Sequence, residues 1–217
     1  MRLIALASLC ISACALVGAE KVDFADLRIG LGAGPMPNDQ KGDLSGTPAS
    51  DGYDGGPGVS ASVGVHYGSL SPLGLLWGGE WNYVSGAMDM TSQDGVSLAG
   101  TGTPSAQFSQ SALILNGGFG LATSSQSHLS LVALAGLAWV TLDSKTTTGT
   151  SKGRGNGTLF GGRVGWYYTG ESRWQCGIEA DWTKMEADLI TDYATNRYDS
   201  TTINSGVSGR AILGYRF

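Results

Sequence analysis

The chain cannot be held together by disulfides. Of its three cysteines, Cys10 and Cys14 lie in an N-terminal apolar stretch, and removal of that stretch leaves Cys176 alone. A helix-length apolar run is also lacking: beyond 3–17 no stretch approaches 18 uninterrupted apolar residues, which excludes a helical membrane span. Charge is scarce, at 14% of residues, and its excess is acidic, with a formal net charge of −5. An acidic chain of pI near 4.9 is a poor partner for nucleic acid. The 35 glycines follow no Gly-x-y period, so they do not signal collagen. They fit curved strands and lumen positions where side chains must be small. A mean hydropathy of +0.00 is what a soluble protein shows. A barrel alternating apolar and polar residues has the same average, so hydropathy alone does not decide.

The first residues describe an export signal. Met1-Arg2 is followed by the apolar stretch 3–17 and by Val17-Gly18-Ala19 ahead of Glu20. One positive charge, a short greasy segment and small residues at −3 and −1 predict cleavage after Ala19. Ile11-Ser12-Ala13-Cys14 offers a competing reading, lipidation at Cys14. The expected organisation is a signal peptide over 1–19 and one domain over 20–217.

Within that domain eight segments alternate with period two. Their apolar faces carry Leu27, Ile29 and Leu31; Val59, Val63, Val65 and Tyr67; Leu75, Trp77, Trp81 and Tyr83; Leu113, Leu115, Phe119 and Leu121. The series continues with Leu129, Leu131, Leu137 and Trp139; Phe160, Val164, Trp166 and Tyr168; Trp174, Ile178 and Trp182; Val207, Leu213, Tyr215 and Phe217. No charge stands on these faces. Arg28, Glu80, Arg163, Glu179, Asp181, Arg210 and Arg216 all have the opposite parity. No separate helix or second sheet is present to cover so large an apolar face, so it must turn outward, into lipid. The fifth segment, 129–140, is apolar on both faces, and a one-residue slip there is open.

The connections alternate in length. Stretches 34–58, 85–107, 143–157 and 183–206 are long, while 68–74, 122–128 and 169–173 are short. Short turns on one side and long Gly-, Ser-, Thr- and Asp-rich loops on the other are the habit of outer-membrane barrels, with the long loops outside the cell. All six Trp (Trp77, Trp81, Trp139, Trp166, Trp174 and Trp182) share the apolar face and sit toward segment ends. Amphipathic rings prefer the headgroup level, so these residues predict two membrane-interface girdles.

These features resemble the small eight-stranded outer-membrane barrels of Gram-negative bacteria, the OmpA/OmpX/OmpW-like group, over 23–217. The resemblance implies an all-β fold, an eight-stranded antiparallel up-and-down transmembrane β-barrel in the cell outer membrane. The last strand, Val207-x-Gly209-x-Ala211-x-Leu213-x-Tyr215-x-Phe217, resembles the signal read by the barrel assembly machinery, with Leu213, Tyr215 and Phe217 as its bulky positions. Ile212 departs from that signal, which often has Gly there. The Gly-Tyr-Arg-Phe ending is similar to that of OmpW-type proteins. The implied partners are outer-membrane lipids, lipopolysaccharide and the assembly machinery, and the implied state is a monomer.

Six lumen-parity charges, Arg28, Glu80, Arg163, Glu179, Asp181 and Arg210, are expected to pair into an ionic network, with His66, Gln110 and Asn116 nearby. Eight strands leave room only for side chains to fill the lumen, and an unpaired charge there is costly. The network therefore predicts a closed barrel with a structural or surface-interaction role and no enzymatic activity. The alternatives are an OmpW-like narrow channel for small hydrophobic molecules and a lipid-modifying outer-membrane enzyme. His128-Leu129-Ser130 places a base and a hydroxyl on one strand face, but no orienting acid is evident. Asp51-Gly52-Tyr53-Asp54 lacks the spaced ligands of a calcium loop, and no metal or cofactor site is expected. The first long loop is acidic (Asp39, Asp43, Asp51 and Asp54 against Lys41). The third is basic (Lys145, Lys152 and Arg154 against Asp143).

Overall fold

The computed structural model describes residues 22–37, 39–44, 47–70, 73–93, 96–97, 105–146, 149–193 and 196–217. The expected signal peptide and the cysteines Cys10 and Cys14 lie outside the described residues.

The strands are β1 (Val22–Gly34), β2 (Asp39–Leu44), β3 (Thr47–Asp54), β4 (Gly58–Leu70), β5 (Leu73–Gln93) and β6 (Val96–Ser97). They continue as β7 (Ser105–Ala122), β8 (Ser127–Thr146), β9 (Gly149–Thr169), β10 (Trp174–Tyr193) and β11 (Asn196–Arg216). Eight of them close a ring in the order β1–β4–β5–β7–β8–β9–β10–β11 and back to β1, every neighbour antiparallel. This is the all-β up-and-down barrel that the alternation predicts. Closure leaves the ring without a free edge.

The apolar parity faces outward all round the ring. Leu115, Leu131, Ile178 and Leu31 are each more than 60% exposed, while Glu80, Arg163 and Arg210 on the other parity are at 2–4%. On β5 the outward apolar run goes from Leu73 to Tyr83, roughly 25 Å high at ordinary strand tilt. That is the height of an outer membrane's apolar band. Soluble monomers rarely expose a patch beyond a few hundred Å², so a continuous girdle of this kind belongs in lipid. In β8 the register Leu129↔Trp166 and Leu131↔Val164 fixes the ambiguous fifth segment with its Leu129 parity outward.

The long connections depart from expectation. Strands β5, β9 and β11 are each 21 residues long, about twice what a membrane crossing needs. Most of 85–107, 143–157 and 183–206 is therefore strand, and the barrel stands on outside the lipid as a second storey. The stretch 34–58 likewise forms the hairpin β2–β3, which pairs with β11 through Thr201↔Lys41 and with β5 through Tyr53↔Met90. This hairpin takes the place of β1 and β4 above Gly34 and Gly58, so the upper ring again has eight members.

The reason lies in an inversion of polarity. Above Tyr83 the outward residues of β5 are Ser85, Ala87, Asp89 and Thr91, while the inward ones are Val84, Met88 and Met90. Phe108, Ala112, Val140, Leu142, Met185 and Leu189 join them in one buried apolar cluster. Parity never changes, but the greasy side moves from outside to inside where water replaces lipid. The polar outer residues of these strands read as loop in the sequence. The same inversion explains why β8 is apolar on both faces: its outer face serves the membrane and its inner face the upper core.

Candidate functional site

The lumen is filled in layers. At the end that carries the short turns Asp26, fully buried, accepts hydrogen bonds from Arg28 Nη2 at 2.8 Å, Gln175 Nε2 at 3.0 Å and Arg216 Nε at 2.8 Å. The Arg28 guanidinium lies 4.0 Å over the Tyr167 ring, and that of Arg216 lies 4.0 Å over Phe24.

Above this layer sits the main ionic cluster. Asp181↔Arg163 and Glu179↔Arg210 are directly opposed in the register of β10 with its two neighbours. Each is a local cross-strand pair. Glu80, reaching from β5 on the opposite wall, joins them: Arg163 Nη1 donates to Glu80 Oε2 at 2.7 Å and Arg210 Nη1 to Glu80 Oε1 at 3.2 Å. Arg163 Nε donates to Asp181 Oδ1 at 2.7 Å, and Arg210 Nη2 donates to Asp181 Oδ2 at 2.7 Å and to Glu179 Oε2 at 2.8 Å. Tyr167 Oη donates to Glu179 Oε1 at 2.6 Å, linking this layer to the one below. His66 Nε2 stands 3.9 Å from Glu80. Two guanidiniums thus serve three carboxylates, and the bidentate geometry is the strong form of such contacts. Between the two layers the remaining cavity is about 10 Å³, lined by Arg28, His66, Asn116, Ser130, Arg163 and Tyr167 among others. It has room for about one water.

Higher still, Asn204 Nδ2 donates to the Pro35 carbonyl at 3.0 Å and to Gln110 Oε1 at 3.3 Å across the lumen. The apolar core of the upper storey follows. Near its top Gln40 Nε2 donates to Ser200 Oγ at 2.6 Å, and Tyr53 Oη donates to Gln40 Oε1 at 3.0 Å. A bulge between Gly52 and Tyr53 accompanies the turn of Tyr53 into the lumen. Burial, reinforced by the nearby Asp51 carboxylate, pushes the Tyr53 phenol above its ordinary pKa, so it stays a donor.

Five of the six expected network residues, Glu80, Arg163, Glu179, Asp181 and Arg210, meet in one cluster. Arg28 does not. Two residues along the strand from it lies Asp26, which takes its charge instead, and the three-against-three balance becomes two against three. Asp26 shares the parity of Arg28 but falls just below the first apolar residue of that segment, Leu27. Tyr167 is the one aromatic on lumen parity in its strand, a signal available in the sequence. Tyr53 and Gln40 lie in a stretch without apolar alternation, where no such signal exists.

His128 and Ser130 face the lumen, but His128 Nε2 and Ser130 Oγ have no hydrogen-bond partner. The His128 ring is instead stacked on Tyr167, centroids 4.9 Å apart. Neither an activated hydroxyl nor an orienting acid is assembled there. Among the described residues no group of three or more His, Cys, Asp or Glu side chains is arranged to hold a metal ion.

On the outside the aromatics pack in pairs along the apolar face. Tyr67 stacks on Trp77 at 4.4 Å, and Tyr215 packs edge-on against Trp174 and Phe217 at 5.5 and 5.3 Å. Trp81 stacks with Tyr83, and Phe160 meets Trp182 edge-on. Trp139 and Trp166 are exposed on the same outer surface, at 50% and 41%.

No protein-family model and no curated protein sequence matches the chain. Its fold matches solved structures: the outer membrane protein OprG from Pseudomonas aeruginosa superposes with a TM-score of 0.53 at 12% identity, covering 93% of this chain and 99% of that one. The fold is that of the small outer-membrane β-barrels. Two further barrels align less closely. They are the outer membrane protease OmpT from Escherichia coli (TM-score 0.48, 10% identity, 89% of this chain and 97% of that one) and Ail of Yersinia pestis (0.45, 9%, 90% and 99%). At such identities the likeness concerns the fold alone.

Proposed function

We propose that this outer-membrane barrel is a sealed membrane anchor for a rigid extracellular storey, with a structural or surface-interaction role rather than transport or catalysis. The observation that supports this most is the stacked filling of the lumen, above all the Glu80–Arg163–Asp181–Arg210–Glu179 cluster. A solute would have to break buried ion pairs, each strongly unfavourable to disrupt, and then cross the apolar core. That arrangement tells against the conduit for small hydrophobic molecules. Lipid acyl chains and lipopolysaccharide surround the two aromatic girdles, and the assembly machinery reads Leu213, Tyr215 and Phe217 on the outer face of β11. The barrel works as a monomer.

Planar-bilayer recording tests the seal. The unaltered protein is expected to give no unitary conductance. Arg163→Ala is expected to be silent as well, because the apolar storey above still blocks the path. Steady channels from the unaltered protein would overturn the proposal.

A further inference from the structure

The ring closes where the first strand meets the last, and this seam has the shortest ladder of the ring among the described residues. It runs for eight pairs, from Asp26↔Arg216 to Ala33↔Gly209. The ladder between β8 and β9 has twenty, from Ser127↔Tyr168 to Thr146↔Gly149. Side chains add little adhesion on the lumen side of the seam, because two of the four inward β1 positions there are Gly30 and Gly32. The other two are Asp26 and Arg28.

Asp26 is where the seam is tied. Its carboxylate takes Arg216 in a two-point grip, Nε to Oδ1 at 2.8 Å and Nη2 to Oδ2 at 3.1 Å. The same group accepts from Gln175 on β10 and Arg28 on its own strand. Three consecutive members of the ring therefore converge on one buried acid. Arg216 lies between Tyr215 and Phe217 but faces the other way, into the lumen. Beside it the Phe217 amide donates to the Ala25 carbonyl, and the Arg216 amide to the Arg173 carbonyl, both at 2.9 Å.

We propose that Asp26 is the closure latch of the barrel. It captures the Arg216 guanidinium as the last strand zips onto the first, and this fixes the register of a seam whose ladder alone holds it weakly. The inference rests on the reading of the chain as a membrane barrel. It adds a division of labour within β11, whose outer face is left to the assembly machinery while its inner face carries the charge that ends assembly.

The test follows ring closure by cross-linking during refolding from urea into phosphatidylcholine vesicles, in a Cys176→Ser background with an added oxidant. Leu31→Cys with Ala211→Cys reports the seam (Leu31↔Ala211). Ile178→Cys with Ala211→Cys reports the neighbouring ladder (Ile178↔Ala211). Asp26→Asn is expected to slow seam cross-linking about tenfold, the scale of one lost charge-assisted bond, and to leave the neighbouring pair unchanged. Arg216→Gln, which spares the bonds of Asp26 to Arg28 and Gln175, should do the same, and the double variant should be no slower than either. An unchanged seam rate in both variants overturns the latch, as does an equal slowing of both pairs. Were the unaltered protein to show no heat-dependent shift between unboiled and boiled gels, the membrane-barrel reading itself would fail, and the latch with it. A normal shift with an unchanged seam rate refutes only the latch.

Discussion

Glu80 is the residue on which the lumen turns. It alone brings a carboxylate from the β5 wall to the two arginines of β9 and β11. Removing its charge weakens the charge-assisted hydrogen bonds that tie Arg163 and Arg210 to that wall, each worth about 1.5–3 kcal/mol. Glu80→Gln keeps the volume and should lower the urea midpoint by a corresponding amount, read from loss of the gel shift. An unchanged midpoint would mean that Arg163 and Arg210 are satisfied by Glu179 and Asp181 alone. Parity made these five residues readable as a set in the sequence, because only lumen positions tolerate charge in a strand whose other side meets lipid. Which charge meets which was not readable. Pairing across the lumen depends on the stagger of the strands, and that is why Arg28 belongs with Asp26 and Arg216 rather than with Glu80.

At the scale of elements, the upper storey behaves as a water-soluble barrel continuous with a membrane one. Its core is apolar and its outside polar, so its stability comes from ordinary burial. Phe108 is fully buried there, and truncation of such a side chain costs about 3–5 kcal/mol. Phe108→Ala should open the storey to added protease while the membrane part keeps its gel shift. Equal loss of both would show that the two storeys fold as one unit. The strands inside the membrane were legible from period two, since bulky apolar residues alternate with small or polar ones. Their continuations were not: Ser85, Thr141 and Asn156 on the outer face carry the composition of loops, and β2 and β3 lack alternation. Glycine obscured them further. At Gly155 and Gly157 a Cβ would collide with the Asp188 and Glu186 carbonyls of β10, so residues that read as turn formers are there to let strands approach.

The whole molecule is defined by which surface meets lipid. Leu115 and Val164 stand near the middle of the girdle, 67% and 53% exposed. Arg at either site should destabilise the inserted barrel by about 2–4 kcal/mol, measured by equilibrium refolding into vesicles. The same substitution at Gln107, exposed on the outside of the upper storey, should be neutral. Equal tolerance at all three sites would place no membrane around this surface. The six Trp provide the most direct measurement, because every one lies on that surface. In vesicles containing brominated lipids, bromine placed high on the acyl chain should quench the tryptophan emission strongly, bromine at the chain end less, and aqueous acrylamide little. Strong acrylamide quenching without any effect of lipid-borne bromine would contradict the lipid-facing girdle.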